Sequence, residues 1–148
     1  MIGKCLCGAV QFEINNAPNL YQCHCSQCRR QSGTFSNAAT LVCRDDFSWV
    51  SGEEKISKFK LEDGFTSHFC SICGSPVPNP LRDTDKIWVP AGSLPGEINS
   101  RVAVHIYTKS KASWENEITG GKQYDEMPDF ETLYSLLHKK CLSTSNHE

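Results

Sequence analysis

Apolar and polar residues alternate over short stretches along most of this chain. Val10, Phe12 and Ile14 are spaced by Gln11 and Glu13, the two-residue period of a strand with one buried face, so a strand is predicted over 9–14 before the turn Asn15-Asn-Ala-Pro18. Further strands are predicted over 20–23, 34–42, 47–50, 55–61, 65–69, 86–89 and 101–107, punctuated by Asp45-Asp46, Ser51-Gly52, Asp63-Gly64 and the loop 92–96. Asp63-Gly64 should close a hairpin, and Pro76, Pro78 and Pro80 exclude a helix after it. The period becomes helical near the C-terminus, where Phe130, Leu133, Tyr134 and Leu137 share one face of a helix predicted over 130–140. Asp129 would be its N-cap, and Lys139-Lys140 would sit at its negative end. A shorter helix is predicted over 26–32, stopped by Gly33. With no internal repeat, no low-complexity segment and a polar tail over 143–148, residues 1–148 read as one mainly β domain of antiparallel sheets with few helices.

Composition narrows the class without naming a chemistry. The 148 residues are 39% hydrophobic and 22% charged, an ordinary globular balance for one domain. Fifteen Lys and Arg against 17 Asp and Glu leave a net charge of -2, which argues against nucleic acid or an anionic membrane as partner. No apolar run is long enough to span a bilayer and no leader is apparent at Met1–Cys5, so the chain reads as cytoplasmic. Oligomeric state has no signature in the residues.

The nine cysteines change the picture. Their number is odd, and Cys5/Cys7 and Cys23/Cys25, each one residue apart, would strain a mutual disulfide but sit easily around an ion about 2.3 Å from each sulfur. Cys5-Leu-Cys7 and Cys70-Ser-Ile-Cys73 together offer four thiolates, the set a structural zinc requires. Cys23-His-Cys-Ser-Gln-Cys28 is then a separate set of three donors. Either a histidine closes it as a second structural centre, with His68 and His105 better placed than His24 between two ligands, or its fourth position faces a substrate. Since Cys23 and Cys25 on one extended strand would face opposite ways, the backbone must turn at His24 for them to share an ion. Cys43 and Cys141 fall outside both groups, as a small buried residue and a tail thiol.

The donor type restricts the reaction. Three thiolates leave a zinc centre with a formal charge of about -1, a poorer generator of hydroxide than a neutral-ligand site, but one that suits an incoming sulfur nucleophile. A nucleobase deaminase is excluded because Phe69 rather than proline precedes Cys70 and no His-x-Glu lies upstream. A thioredoxin-type pair is excluded because Gly74-Ser-Pro76 follows Cys73 where a helix would begin. A zinc ribbon accounts for Cys5, Cys7, Cys70 and Cys73 but has no use for the other three.

Five motifs occur in order: Gly3-Lys-Cys-Leu-Cys-Gly-Ala-Val10, Cys23-His-Cys-Ser-Gln-Cys-Arg-Arg30 with Ser32-Gly33, His68-Phe-Cys-Ser-Ile-Cys-Gly74, Ala91-Gly-Ser-Leu94, and His105-Ile-Tyr-Thr-Lys-Ser-Lys-Ala-Ser-Trp114. Over residues 3–128 they resemble the glutathione-dependent formaldehyde-activating enzyme family, which includes centromere protein V-like proteins. The resemblance implies an Mss4-like β fold and two zinc ions. Cys5, Cys7, Cys70 and Cys73 would hold the structural ion, and Cys23, Cys25 and Cys28 the catalytic one. It also implies a carbon-sulfur lyase-type activity joining glutathione to formaldehyde; the alternative is a zinc-stabilised binding or glutathione-carrier module without catalysis. Glutathione has two carboxylates, so Arg29, Arg30, Lys109 and Lys111 become candidate substrate contacts, with His105 and Trp114 beside them.

Overall fold

The structure, a computed structural model, describes residues 1–138. The strands are β1 (Ile2–Lys4), β2 (Gln11–Ile14), β3 (Leu20–Cys23), β4 (Asn37–Cys43), β5 (Phe47–Ser51), β6 (Ile56–Lys60), β7 (Thr66–Cys70), β8 (Asn79–Pro80), β9 (Lys86–Pro90), β10 (Val102–Ile106) and β11 (Lys122–Gln123). Among the described residues the α-helices are α1 (Ser26–Ser32) and α2 (Phe130–Leu137). The protein is mainly β, as the period of two predicts. The described residues divide into two compact units: Met1–Ala17 with Leu41–Asn99, and Pro18–Thr40 with 100–138.

The first unit contains the antiparallel sheet β1-β2-β5, the antiparallel hairpin β6-β7, and β9 and β8 beside the Leu41–Cys43 end of β4. Phe12 and Ile14, the apolar members of the alternating stretch, point inward with Val42, Ile87, Val89 and Leu94. Phe47 stacks on Phe12 at 5.6 Å between ring centroids and meets Trp49 edge-on at 4.9 Å. Such pairs add about 0.5–1.5 kcal/mol beyond the area they bury. Gly3 lies opposite Phe12 in the ladder, and any Cβ there would enter the Phe12 ring, so this position accepts no side chain while the ring keeps its place. A second buried cluster joins Cys5 and Cys70 to Val10 and Val77.

The second unit is built on β11-β10-β3-β4. Here the structure departs from simple antiparallel pairing. β3 and β4 are antiparallel, but β10 runs parallel to both β3 and β11. A register shift between Val102 and Val104 sets His105 opposite Gln22 and Ile106 opposite Cys23. Helix α2 begins at Asp129, whose carboxylate accepts the Thr132 N–H at 2.8 Å, and it buries Leu133 and Leu137 as the helical period predicts. Its last turn is tied down where Asn19 N–H donates to Leu137 O at 3.0 Å. Lys139 and Lys140 of the predicted helix, Cys141 and the tail over 143–148 lie outside the described residues.

Candidate metal centres

In the first unit, Cys5, Cys7, Cys70 and Cys73 bring their sulfurs within 4.8 Å of one another. Tight turns present them: Gly8 N–H returns to Cys5 O and Gly74 N–H to Cys70 O, with both glycines at positive φ, 80° and 78°. The sulfur separations are 3.7 Å for Cys5–Cys7 and 3.8 Å for Cys7–Cys70. A tetrahedral ion with four sulfurs at about 2.3 Å requires edges of about 3.8 Å, so the donor set fits an ion of that size. Backbone N–H groups of Val10 and Ile72 donate to the Cys5 and Cys70 sulfurs at 3.3 and 3.4 Å. Ser75 links the two turns, since its hydroxyl accepts the Leu6 N–H at 3.1 Å and lies 3.2 Å from Cys73 Sγ. That hydroxyl is the leading cause holding the Cys73 thiol down at about 5.

In the second unit, Cys23 ends β3 buried, Cys25 is half-buried at the N-cap of α1, and Cys28 is buried on that helix. Their sulfurs also lie within 4.8 Å of one another, and among the described residues no histidine, carboxylate or further cysteine joins the group. Cys25 Sγ accepts the Cys28 N–H at 3.3 Å, so the sulfur doubles as the helix cap. Three sulfurs this close compete for protons. Hydrogen bonds from Cys23 and then Cys28 hold Cys25 down at about 2, while Cys23 is pushed up to about 12, chiefly by Cys25. Cys28 is raised, first by Cys23 and then by Cys25.

His24, between two of these cysteines, turns its ring away to other partners. Its Nδ1 lies 3.0 Å from Glu115 Oε1 and its Nε2 lies 2.9 Å from His105 Nδ1. Both His24 ring nitrogens are therefore occupied, and so is the His105 nitrogen that faces them. His24 is 0% exposed and the Glu115 side chain 6%. Burial is the first cause lowering the His105 pKa, with His24 next. His68 lies in the first unit, on β7, opposite Lys58 in the hairpin.

The candidate substrate contacts are arranged unequally. Arg29 Nη1 donates to His24 O at 2.9 Å and to Ser110 O at 2.6 Å, fastening α1 to the end of β3 and to the 3-10 turn Thr108–Ser110. Lys109 pairs with Glu126, and Lys111 Nζ donates to Glu115 O at 2.9 Å. Arg30 is exposed on α1. His105 and Trp114, the latter 67% exposed, line a cavity of about 280 Å³ with Gln22, Phe35, Glu115 and Glu117. Cys43, outside both groups, is half-buried at the end of β4 with Lys86 Nζ 3.5 Å from its sulfur.

Sequence reasoning missed Glu115 and Tyr107. Glu115 follows Trp114 directly, but an acidic residue in a polar stretch carries no period to mark it as buried. Tyr107 has φ 56°, the left-handed region rare for a side chain of its size, and leads into the turn Thr108–Ser110. Burial raises its hydroxyl pKa, and the Cys23 and Cys25 sulfurs raise it further.

Among the described residues of this mainly β protein, seven cysteines gather into two sets, each of which could hold a metal ion. The family model for the glutathione-dependent formaldehyde-activating enzyme matches residues 1–110, and the chain belongs to that family. Among solved structures, a Rhodobacter sphaeroides protein is similar, at 25% identity over 69% of this chain and 100% of that one, with a TM-score of 0.54. No helix among the described residues is long and apolar enough to cross a membrane.

Proposed function

We propose that the chain is a zinc-dependent enzyme of carbon-sulfur lyase type acting on a small thiol such as glutathione. The reaction adds the thiol S–H across the formaldehyde carbonyl: an S–C bond forms, the C=O π electrons move to oxygen, and the thiol proton ends on that oxygen as S-(hydroxymethyl)glutathione. The single observation that carries this reading is the contrast in donor number. Four sulfurs form a complete set in one unit, while three gather in the other with no further protein donor among the described residues. Zinc held by Cys23, Cys25 and Cys28 would supply acidification of a thiol that reaches it without quenching its nucleophilicity. Cys5, Cys7, Cys70 and Cys73 would hold a second, structural zinc.

The surrounding residues have separable tasks in this reading. His105 and Trp114 front the cavity and would contact the body of the substrate, whose ammonium group suits the Glu117 carboxylate on the same wall. Arg30, exposed one residue beyond Arg29, would meet a substrate carboxylate. Arg29, Lys109 and Lys111 each already engage a protein acceptor and would meet the substrate through their remaining N–H groups.

The test is glutathione titration of protein carrying cobalt in place of zinc. A saturable change in the sulfur-to-cobalt absorption, together with adduct formation from formaldehyde, is expected. An unchanged spectrum at millimolar thiol overturns the proposal, and a changed spectrum without accelerated adduct formation reduces the protein to a thiol carrier.

A further inference from the structure

We propose that His24 is a positioning residue. Held by Glu115 and His105, it fixes the backbone turn that lets Cys23 and Cys25 share an ion, and so sets how tightly the three sulfurs grip it. This rests on the metal reading of the Cys23 group but not on any substrate.

An extended strand would send the two flanking side chains to opposite faces, so the residue between them must leave the strand conformation and stay there. Every polar group of His24 is used to that end. Its N–H donates to Ile106 O at 3.0 Å, which carries the β10 ladder one residue past the end of β3. Its carbonyl accepts Arg29 Nη1 from the helix that presents Cys28. Its ring is clamped at both nitrogens, by a carboxylate from the 112–116 segment and by an imidazole delivered through the β10 register shift. The residue is thus pinned from β10, α1 and the Glu115 segment, with its ring fully buried.

Each member of the clamp depends on the others, since His24 Nδ1 has Glu115 Oε1 as its partner and His24 Nε2 has His105 Nδ1. Removing Glu115 would strand a buried imidazole nitrogen, and removing His24 would strand a buried carboxyl. The nearest structural parallel is the outer partner that orients a metal ligand, whose loss usually weakens metal binding about 10- to 100-fold. Here the oriented ligands are the two neighbours of His24 in the chain.

The experiment compares holo-protein with Glu115→Ala, His24→Ala and His24→Gln. Its readouts are zinc affinity at each centre by chelator competition, and the ligand-field spectrum of cobalt at the second centre. The expected result is a second-centre affinity lowered about 10- to 100-fold in Glu115→Ala and His24→Ala, with a shifted cobalt spectrum, an unaltered first centre and partial rescue in His24→Gln. Native affinity and spectrum at the second centre in both deletion variants overturn the proposal. So does parallel loss of both ions in all three variants, the mark of general unfolding. Failure of glutathione to reach cobalt in the native protein would sink the enzymatic reading and leave this measurement intact.

Discussion

The two compact units solve the same problem, holding sulfur donors close together, by different means. In the first, four cysteines sit on two glycine-hinged turns far apart in sequence, and Val10, Val77 and the serine bridge of Ser75 complete the cluster. In the second, three cysteines fall within six residues, and the supporting contacts come from a distant strand and a distant loop through His24. The first centre ties the ends of its own unit and leaves no donor position open. The second is assembled at a strand end and a helix cap and stops at three. On the proposed reading, an ion that closes a long loop would be part of the fold, whereas one held by a local cluster would leave the fold to other contacts and be free for chemistry.

The largest effect expected from this contrast is that of Cys70→Ser. Structural zinc in small modules is worth about 10–16 kcal/mol, as much as the whole stability of a typical domain. The variant should therefore lose cooperative melting by far-ultraviolet circular dichroism; a native-like melt would show that the first centre does not hold the fold. Next comes Leu137→Ala, at a side chain 0% exposed in the second unit. It should cost about 2–5 kcal/mol in chemical denaturation and leave two zinc ions per chain. Loss of an ion would mean that the second centre depends on α2 packing. Cys28→Ser should melt near the native temperature while zinc, measured by atomic absorption, falls from two per chain to one; outright unfolding would make the two centres alike.

The smallest expected effect lies at the α2 cap. Thr132 N–H, and then its hydroxyl, hold the Asp129 carboxylate below its usual range. A carboxylate depressed in this way contributes stability above its unfolded pKa and loses it as pH falls through the folded value. The native protein should thus out-melt Asp129→Asn above about pH 4, with the gap closing in stronger acid. A gap that persists there would assign the difference to something other than charge.

Where the chain's own period is long enough, the elements follow it. β3 and α1 occupy the predicted residues, and Asp129 caps α2. The strand predicted from Thr34 begins instead at Asn37, because the Thr34 and Phe35 N–H groups are taken by the Ser32 and Thr34 hydroxyls. The strand predicted from Ala9 begins at Gln11, since Val10 O accepts the Cys5 N–H and closes the metal turn first. Strands β1, β8 and β11 are two or three residues long, too short for any period to show. The cysteine groups were legible from local spacing together with the count of donors, because thiolates one to three residues apart have few other uses and the two outer pairs make up a set of four.

By itself the sequence determined the faces of the strands, the helix caps and the grouping of seven cysteines into four and three. Only the tertiary structure decided that β10 runs parallel to β3 in a shifted register. From that follows the burial of His24, Glu115 and His105 together beside the smaller group. The reason is physical: local periodicity encodes which side of a strand is buried, whereas the neighbour it pairs with, and the polar partners that must then be satisfied, depend on contacts between residues some eighty to ninety positions apart.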